Sequence, residues 1–317
     1  MNTNFDERNL NFDELLQELE QKPQQPQAEP AATLDPFDKE AYRERKQAER
    51  TEAFRMADIT AEKAAASGEV YADYLNVQAR YNRYSVNNAL LIAAQMPTAT
   101  KLATFDEWRQ NNVQIRGGAK AIILLEPGKE YQREDGSVGA SFNVKKVFDI
   151  SQTHALQQPQ AEVHRDQRLM MKALISNPPC KLEVSDDQVP ANSAAVYKPE
   201  AKTIYVRHGL NFDDMFRALA RELAFAHMDK GGSFSRTACE FQARSVAYLV
   251  CARNHIAPEQ VTFPSSYSNL EAKDIKQVLG EIREVANTMH GSMSKILDKP
   301  AQEQGQRTQN PRDRDAR

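Results

Sequence analysis

The chain has 317 residues, 40% hydrophobic and 27% charged, with a formal net charge of −3, which is enough material for two ordinary globular cores with polar ends. No apolar run approaches the length of a bilayer span, and the opening MNTNFDERNLNFDELL is acidic where a targeting segment would be basic then apolar, so a cytoplasmic protein is expected. Cys180, Cys239 and Cys251 share no C-x-x-C spacing and cannot all pair, which suits a reducing compartment and argues against a zinc ribbon.

Residues 1–40 combine a short amphipathic stretch (Phe12, Leu15, Leu16, Leu19) with QKPQQPQAEPAATLDP, a composition that cannot bury enough apolar surface to order itself. They are expected to be a disordered arm. A first domain is placed at 41–155. Val70 to Arg83 has apolar residues at helical spacing, and Ser85 caps a second helix whose apolar run, Ala89 to Met96, stops at Pro97. Thr104 and Glu107 form a capping box for a short helix, Phe105 to Asn111, that carries Trp108. Ala121 to Leu125 reads as a buried strand bounded by Glu126-Pro127-Gly128, and Asp135-Gly136 as a hairpin turn before a strand from Phe142 to Ile150. The expected class is α+β.

Charge is uneven along this domain. From Arg80 to Lys120 there are six basic residues (Arg80, Arg83, Lys101, Arg109, Arg116, Lys120) and two acids (Asp106, Glu107), a local +4 in an acidic chain. Single-stranded DNA needs a positive groove for phosphates and flat side chains for unstacked bases. Tyr81, Tyr84, Trp108 and Tyr131 are the stacking candidates, and Arg83, Arg109, Arg116, Lys120, Lys145 and Lys146 the phosphate partners. Asn87 and Asn88 are placed to bond bases or backbone. Tyr74, Tyr81 and Trp108 read equally well as core aromatics, and Gly117-Gly118 as a tight turn. Lys145 and Lys146 are neighbours on a strand and face opposite ways.

Ser85-x-Asn87-Asn88-x-Leu90-Leu91, Trp108, Arg116-Gly117-Gly118-x-Lys120 and Val147-Phe148-Asp149-x-Ser151-Gln152-Thr153, in this order over about seventy residues, resemble the N-terminal domain of ArdC-type antirestriction proteins. Related domains occur in LtrC-like proteins of conjugative elements. The resemblance implies a single-stranded DNA-binding domain.

A linker is expected near His154 to Glu162, followed by a second domain at 163–292 and a disordered tail at 293–317. Ala194 to Tyr197 and Thr203 to Val206 read as a hairpin turning through Lys198 to Lys202, and Phe216 to Met228 as a helix started by Asp213 or Asp214. Ala238 to Asn254 and Asn269 to Met289 complete the domain as amphipathic helices. The hairpin followed by a helix resembles the zincin-like metallopeptidase domain that follows the ArdC N-terminal domain. In that family the helix carries H-E-x-x-H, with two histidines one turn apart binding zinc and the glutamate activating water. Here the aligned residues are Arg221-Glu222-Leu223-Ala224-Phe225. Arginine offers a metal no lone pair and phenylalanine has no ligand atom. His227 lies two residues beyond Phe225, turned roughly 200° around the helix.

Glu240 matches the position of the third, acidic ligand. It is the single residual candidate, and Arg221 pairing with Glu240 is the expected structural replacement for the metal. Glu222 is left as a degenerate catalytic position, and no metal or other cofactor is assigned. His164, His208, His255 and His290 are scattered, and no P-loop, dinucleotide fingerprint or G-x-S-x-G elbow is present. The favoured function is therefore single-stranded DNA binding for a conjugative or mobile element, with an antirestriction role by family analogy. The alternatives are a zinc metallopeptidase acting on DNA-associated proteins and a non-enzymatic scaffold for a protein of the transfer or restriction machinery.

Overall fold

A computed structural model describes residues 38–132, 138–155, 166–232, 234–267 and 269–298. The amphipathic stretch from Phe12 to Leu19, the Asp135-Gly136 turn, most of the linker, His164 and the tail beyond residue 298 lie outside the described residues, as does the side chain of Tyr131. The chain divides into two compact units between Glu44 and Arg45. Of the first, residues 38–44 are described: a helical start at which Asp38 accepts from the backbone N–H of Glu40 (2.8 Å) and Ala41 (3.1 Å). That helix runs on past Arg45, and every later element belongs to the second unit.

Helix α1 (Lys39–Ala66) buries Ala53, Ala57, Ala61 and Ala64 along one stripe. It is built from alanine and long charged residues, all strong helix formers. Phe54 meets Phe142 edge to face at 5.5 Å, and Asp58 pairs with Lys276 near the other end of the chain. Helix α2 (Gly68–Arg80) is capped by Ser67, and α3 (Val86–Gln95) by Ser85, which accepts from Asn88 N–H. Strand β1 (Leu102–Ala103) leads through the Thr104/Glu107 capping box into α4 (Phe105–Gln110). The expected caps and helices are present to within a few residues.

Strands β2 (Ile122–Gln132) and β3 (Val138–Asp149) pair antiparallel in a sheet of order β1-β3-β2. Strand β2 does not stop at Glu126, where the turn residues predict its end, but continues through Pro127-Gly128 with a register irregularity before Glu130. Proline is tolerated at a bulge on an edge strand, where its missing donor breaks no ladder. A side chain at Gly128 would come within 2.5 Å of Ser141 Oγ and 3.3 Å of the Ser141 carbonyl, so any larger residue would make the facing strand give way there. Helix α3 covers the open edge of β2. Asn88 exchanges two 2.8 Å bonds with the backbone of Leu125, and Gln95 bonds Ile123 N (2.9 Å) and O (3.0 Å), so two side-chain amides stand in for a further strand.

The later part opens with α5 (Gln167–Leu174) and β4 (Lys181–Val184), neither expected from the sequence. The hairpin of β5 (Ala195–Lys198) and β6 (Thr203–Val206) forms as expected, with β4 added parallel to β6 in the order β4-β6-β5. Helix α6 (Phe212–Met228) is capped by Asn211; Asp213 and Asp214 instead fall in its first turn, where their charge complements the helix dipole. Helices α7 (Arg236–Arg253) and α8 (Ala272–Leu297) complete the α+β architecture. Helix α2 packs on α7: Tyr71 is fully buried, donates to Ser245 Oγ at 2.7 Å, and stacks among Tyr74, Phe241 and Phe263. No described helix is long and apolar enough to cross a membrane.

Candidate nucleic-acid interface and the Glu222 carboxylate

The turn between α2 and α3 brings Tyr81, Arg83 and Tyr84 together. The two tyrosine rings lie 5.5 Å apart and are half-buried, while Arg83 is exposed. Burial pushes both phenols above their ordinary range, so they stay neutral at physiological pH. The turn is held from below by another helix: Arg283 of α8 donates to the carbonyls of Tyr84 (2.8 Å), Arg83 (3.3 Å) and Asn82 (3.4 Å), and Asn287 adds a bond to Asn82. Lys145, on β3, lies close enough for its charge to act on the Tyr84 phenol, and it pairs loosely with Glu126 at 3.5 Å. Lys146 faces the other way, toward Glu49 of α1. Asn87 is partly buried beside the turn, and its Oδ1 has no hydrogen-bond partner among the described residues.

A second cluster lies on α4 and the loop after it. Arg109, Arg116 and Lys120 are exposed, and Arg109 lines a groove of about 480 Å³ with Phe105, Asn112, Val113, Gln114 and Ile115. Phe105, which the sequence did not single out, is 56% exposed at the groove, and nothing in a short helix with two aromatics says which of them faces out. The 116–120 loop is a true tight turn: Ala119 N–H donates to Arg116 O (3.2 Å), Gly118 sits at φ 77°, and the space beside both glycines is open. Gln152 braces the turn, accepting from Arg116 N–H (2.9 Å) and donating to Lys120 O (2.7 Å).

Behind it, Asp149 is buried and accepts from the backbone N–H of Thr100 (2.7 Å), Lys101 (2.8 Å) and Ser151 (2.9 Å). Burial works to raise its pKa, but these donors outweigh it and hold the carboxyl below its ordinary value. The Phe148-Asp149-x-Ser151-Gln152-Thr153 run is thus a brace for the basic turn.

Two candidate DNA contacts have structural roles instead. Trp108 is only 3% exposed, and its indole N–H donates to Phe148 O at 2.9 Å, so neither face is open to a base. Asn88 is buried and its amide is fully spent on Leu125. Both lie toward the sheet, where a large aromatic and a paired amide contribute more to packing than to recognition.

On α6, Glu222 is 0% exposed. Its two oxygens receive the fork of Arg236 at 2.7 Å each, the Tyr197 N–H at 2.7 Å and Arg221 Nε at 3.2 Å. The Arg236 guanidinium also lies 4.0 Å over the ring of Phe225. Burial disfavours its charge, but the Glu222 carboxylate, helped by Glu240, outweighs this and raises its pKa. The expected Arg221–Glu240 pair does not form; the anion is Glu222, and the principal cation comes from the start of α7.

The metal implied by the family resemblance does not fit these residues. The first ligand position is an arginine, the second is a ring covered by another arginine, and the carboxylate between them is saturated by donors. Among the described residues no three His, Cys, Asp or Glu side chains gather closely enough to hold a metal ion.

Helices backed by a small edge-covered sheet, with a half-buried tyrosine pair and a braced basic turn on the surface, make up an α+β unit that has counterparts among known proteins. Residues 57–173 match the family model of the N-terminal domain of anti-restriction factor ArdC. The fold is similar to two crystal structures of the antirestriction ArdC protein from the R388 plasmid. The metal-free form has a TM-score of 0.52 and 16% identity over 77% of this chain and 99% of that one. The Mn(II)-bound form has a TM-score of 0.51 and 15% identity over 75% and 98%. None of the curated proteins compared matches the chain. Residues 57–173 thus match an ArdC N-terminal domain, in a chain whose fold is similar to that of the R388 protein.

Proposed function

We propose that this protein binds single-stranded DNA through the face made by Tyr81, Arg83, Tyr84 and Lys145, extended by Arg109, Arg116 and Lys120, in the antirestriction service of a conjugative element in the cytoplasm. The observation that carries the reading is the turn between α2 and α3. Inside the ArdC-matched segment, two rings with partly open surface adjoin an exposed arginine and a lysine, which is the combination that base stacking and phosphate neutralisation require. The antirestriction role is carried over from the description of the R388 protein.

In this reading the protein has two functional halves, about 41–155 and 163–292, and the second is not an enzyme. The R388 protein is described with Mn(II) bound. Here Arg236 neutralises the glutamate that would serve the metal, so the later half acts as a support and as a docking surface for a protein of the transfer or restriction machinery.

The test is a titration of the full chain with labelled single-stranded and duplex DNA at two salt concentrations. The full chain is needed because Tyr71 packs against Ser245 and Phe241 of α7. Five exposed or partly exposed cations predict a log-log salt slope of about −3.5 on single strands, at roughly −0.7 per phosphate contact. Duplex binding as tight as single-strand binding, or a slope near zero, would overturn the reading.

A further inference from the structure

A separate cavity of about 410 Å³ lies between α6, α7 and the loop before β5. Its walls combine small apolar side chains, among them Ala194, Leu210, Ala218 and Ala247, with four arginines, Arg207, Arg217, Arg221 and Arg244, and two acids, Asp214 and Glu259. The acids cancel two of the four charges, leaving a surplus of two positive charges.

The arginines do not have equal tasks. Arg207 spends its terminal nitrogens on the carbonyls of Val189, Pro190 and Ala191, and so shapes the wall. Arg217 is committed to Asp214 at 2.6 Å and to Ala257 O at 3.1 Å. Arg221 and Arg244 are different. Arg221 uses only Nε, on Glu222, and Arg244 only Nη2, on Gln260 O at 2.9 Å. Both terminal nitrogens of Arg221, and Nε and Nη1 of Arg244, have no partner among the described residues. Two guanidiniums with unspent donors thus stand on facing helices at one partly apolar cavity.

We propose that this cavity is a binding site for a phosphate monoester of nucleotide size, held by Arg221 and Arg244. A carboxylate would satisfy one fork. A terminal phosphate carries about −1.5 to −2 charges at neutral pH and three acceptor oxygens, which matches the surplus charge, the open terminal fork of Arg221 and the separate unspent donors of Arg244. The apolar walls and the volume suit the remainder of a nucleotide better than a bare ion. The phosphate is supplied either by a free nucleotide or by the 5′ end of a DNA strand. This site does not depend on the DNA-binding face proposed above, because it lies on other elements.

The test is calorimetric titration of the full chain with a deoxynucleoside 5′-monophosphate, with the same nucleoside lacking phosphate, and with inorganic phosphate. In parallel, oligonucleotides with a 5′-phosphate and a 5′-hydroxyl are compared. Saturable binding of the monophosphate, at least tenfold tighter than that of the nucleoside, is expected. Arg244→Gln should weaken it roughly tenfold to a hundredfold, as expected for loss of a charged hydrogen bond. Because Arg244 makes one hydrogen bond among the described residues, to a backbone carbonyl, this variant is expected to fold, and Arg221→Gln provides an independent second test. A 5′-phosphate increment that disappears in Arg244→Gln identifies the strand end as the source; monophosphate binding without that increment identifies the free nucleotide. No saturable binding of the monophosphate to the unmodified protein, or binding that both variants leave unchanged, overturns the proposal.

Discussion

The turn at Tyr81–Tyr84 and the carboxylate of Glu222 are each organised by an arginine reaching in from a different helix, and the two outcomes are opposite. Arg236 meets a carboxylate, so its charge is cancelled and the site closes around a buried ion pair. Arg283 meets only carbonyl oxygens of residues 82–84, so the turn is fixed but the positive charge remains. Arg253, close by, donates to Gln78 O and Ala286 O, and burial together with Arg283 pushes its pKa down to about 10, which leaves it protonated at neutral pH. No carboxylate pairs with either among the described residues. A turn backed by two uncancelled cations favours phosphate, whereas a carboxylate saturated by arginines has nothing left to offer a metal.

The largest expected effect breaks the closed half of this comparison. Arg236→Ala leaves a fully buried carboxylate with only Arg221 and one backbone N–H, and should cost about 3 kcal/mol of stability, the low end for a broken buried pair because Arg236 is partly exposed. Urea unfolding measures it. A loss below about 1 kcal/mol would mean that Glu222 is reached by water and is not the sealed site described here.

The open half is tested next. Tyr84→Ala should weaken single-strand binding by about 1–3 kcal/mol, the usual contribution of a stacking ring. Trp108→Ala should instead show as lost stability, about 3 kcal/mol or more for a buried aromatic. If Trp108→Ala folds normally and loses DNA affinity while Tyr84→Ala does neither, the assignment of the two aromatics is inverted.

The sequence made the caps legible, because Ser85 and the Thr104/Glu107 box act over three residues and need no tertiary partner. It also made the β5–β6 hairpin legible. Helix α1 is not legible in the sequence because its buried stripe is alanine, which does not register as apolar periodicity among so many charges. Strand β4 is four residues long, half of them charged, and exists by pairing with β6. For the site, the loss of metal ligands at Arg221 and Phe225 was readable from donor chemistry, but the replacement cation was not. Arg221 is adjacent to Glu222 in the chain, yet the better geometry belongs to Arg236, fourteen residues on, and only the packing of α6 against α7 decides that. Asn88 shows the same limit, since an amide suited to a base edge is equally suited to a strand edge.

A smaller effect concerns acid. The folded-state pKa of Asp149 is lowered, so its contribution is fully present above the unfolded carboxyl value of about 3.8 and is lost as pH falls through the folded value below it. The unmodified protein should therefore lose stability on acidification below about pH 4 in part through this residue. Asp149→Asn should be less stable at neutral pH and show a flatter acid limb in the same range. Parallel acid limbs for the two proteins would mean that the Thr100, Lys101 and Ser151 donors do not set this carboxyl.

The smallest expected effect is the sharpest separation of the two regions. Glu222→Gln keeps the side-chain shape and an oxygen for the Tyr197 N–H, but removes the charge that the arginines cancel. Some stability should be lost, because Arg236 is then half-buried with its paired carboxylate gone and only the weaker influence of Glu240 left to offset its charge. Single-strand affinity measured well below the unfolding temperature should stay within about twofold of the unmodified protein, since the partners of Glu222 are Tyr197, Arg221 and Arg236 and none belongs to the Tyr81–Tyr84 face, and distant independent sites behave additively. Zinc or manganese added in excess should leave that affinity unchanged as well. If Glu222→Gln abolishes DNA binding without unfolding the protein, the carboxylate has a role that ion-pair geometry does not capture, and the two halves act as one site. If the affinity is unchanged, Glu222 serves the ion pair with Arg236 and Arg221 and takes no part in the DNA-binding face.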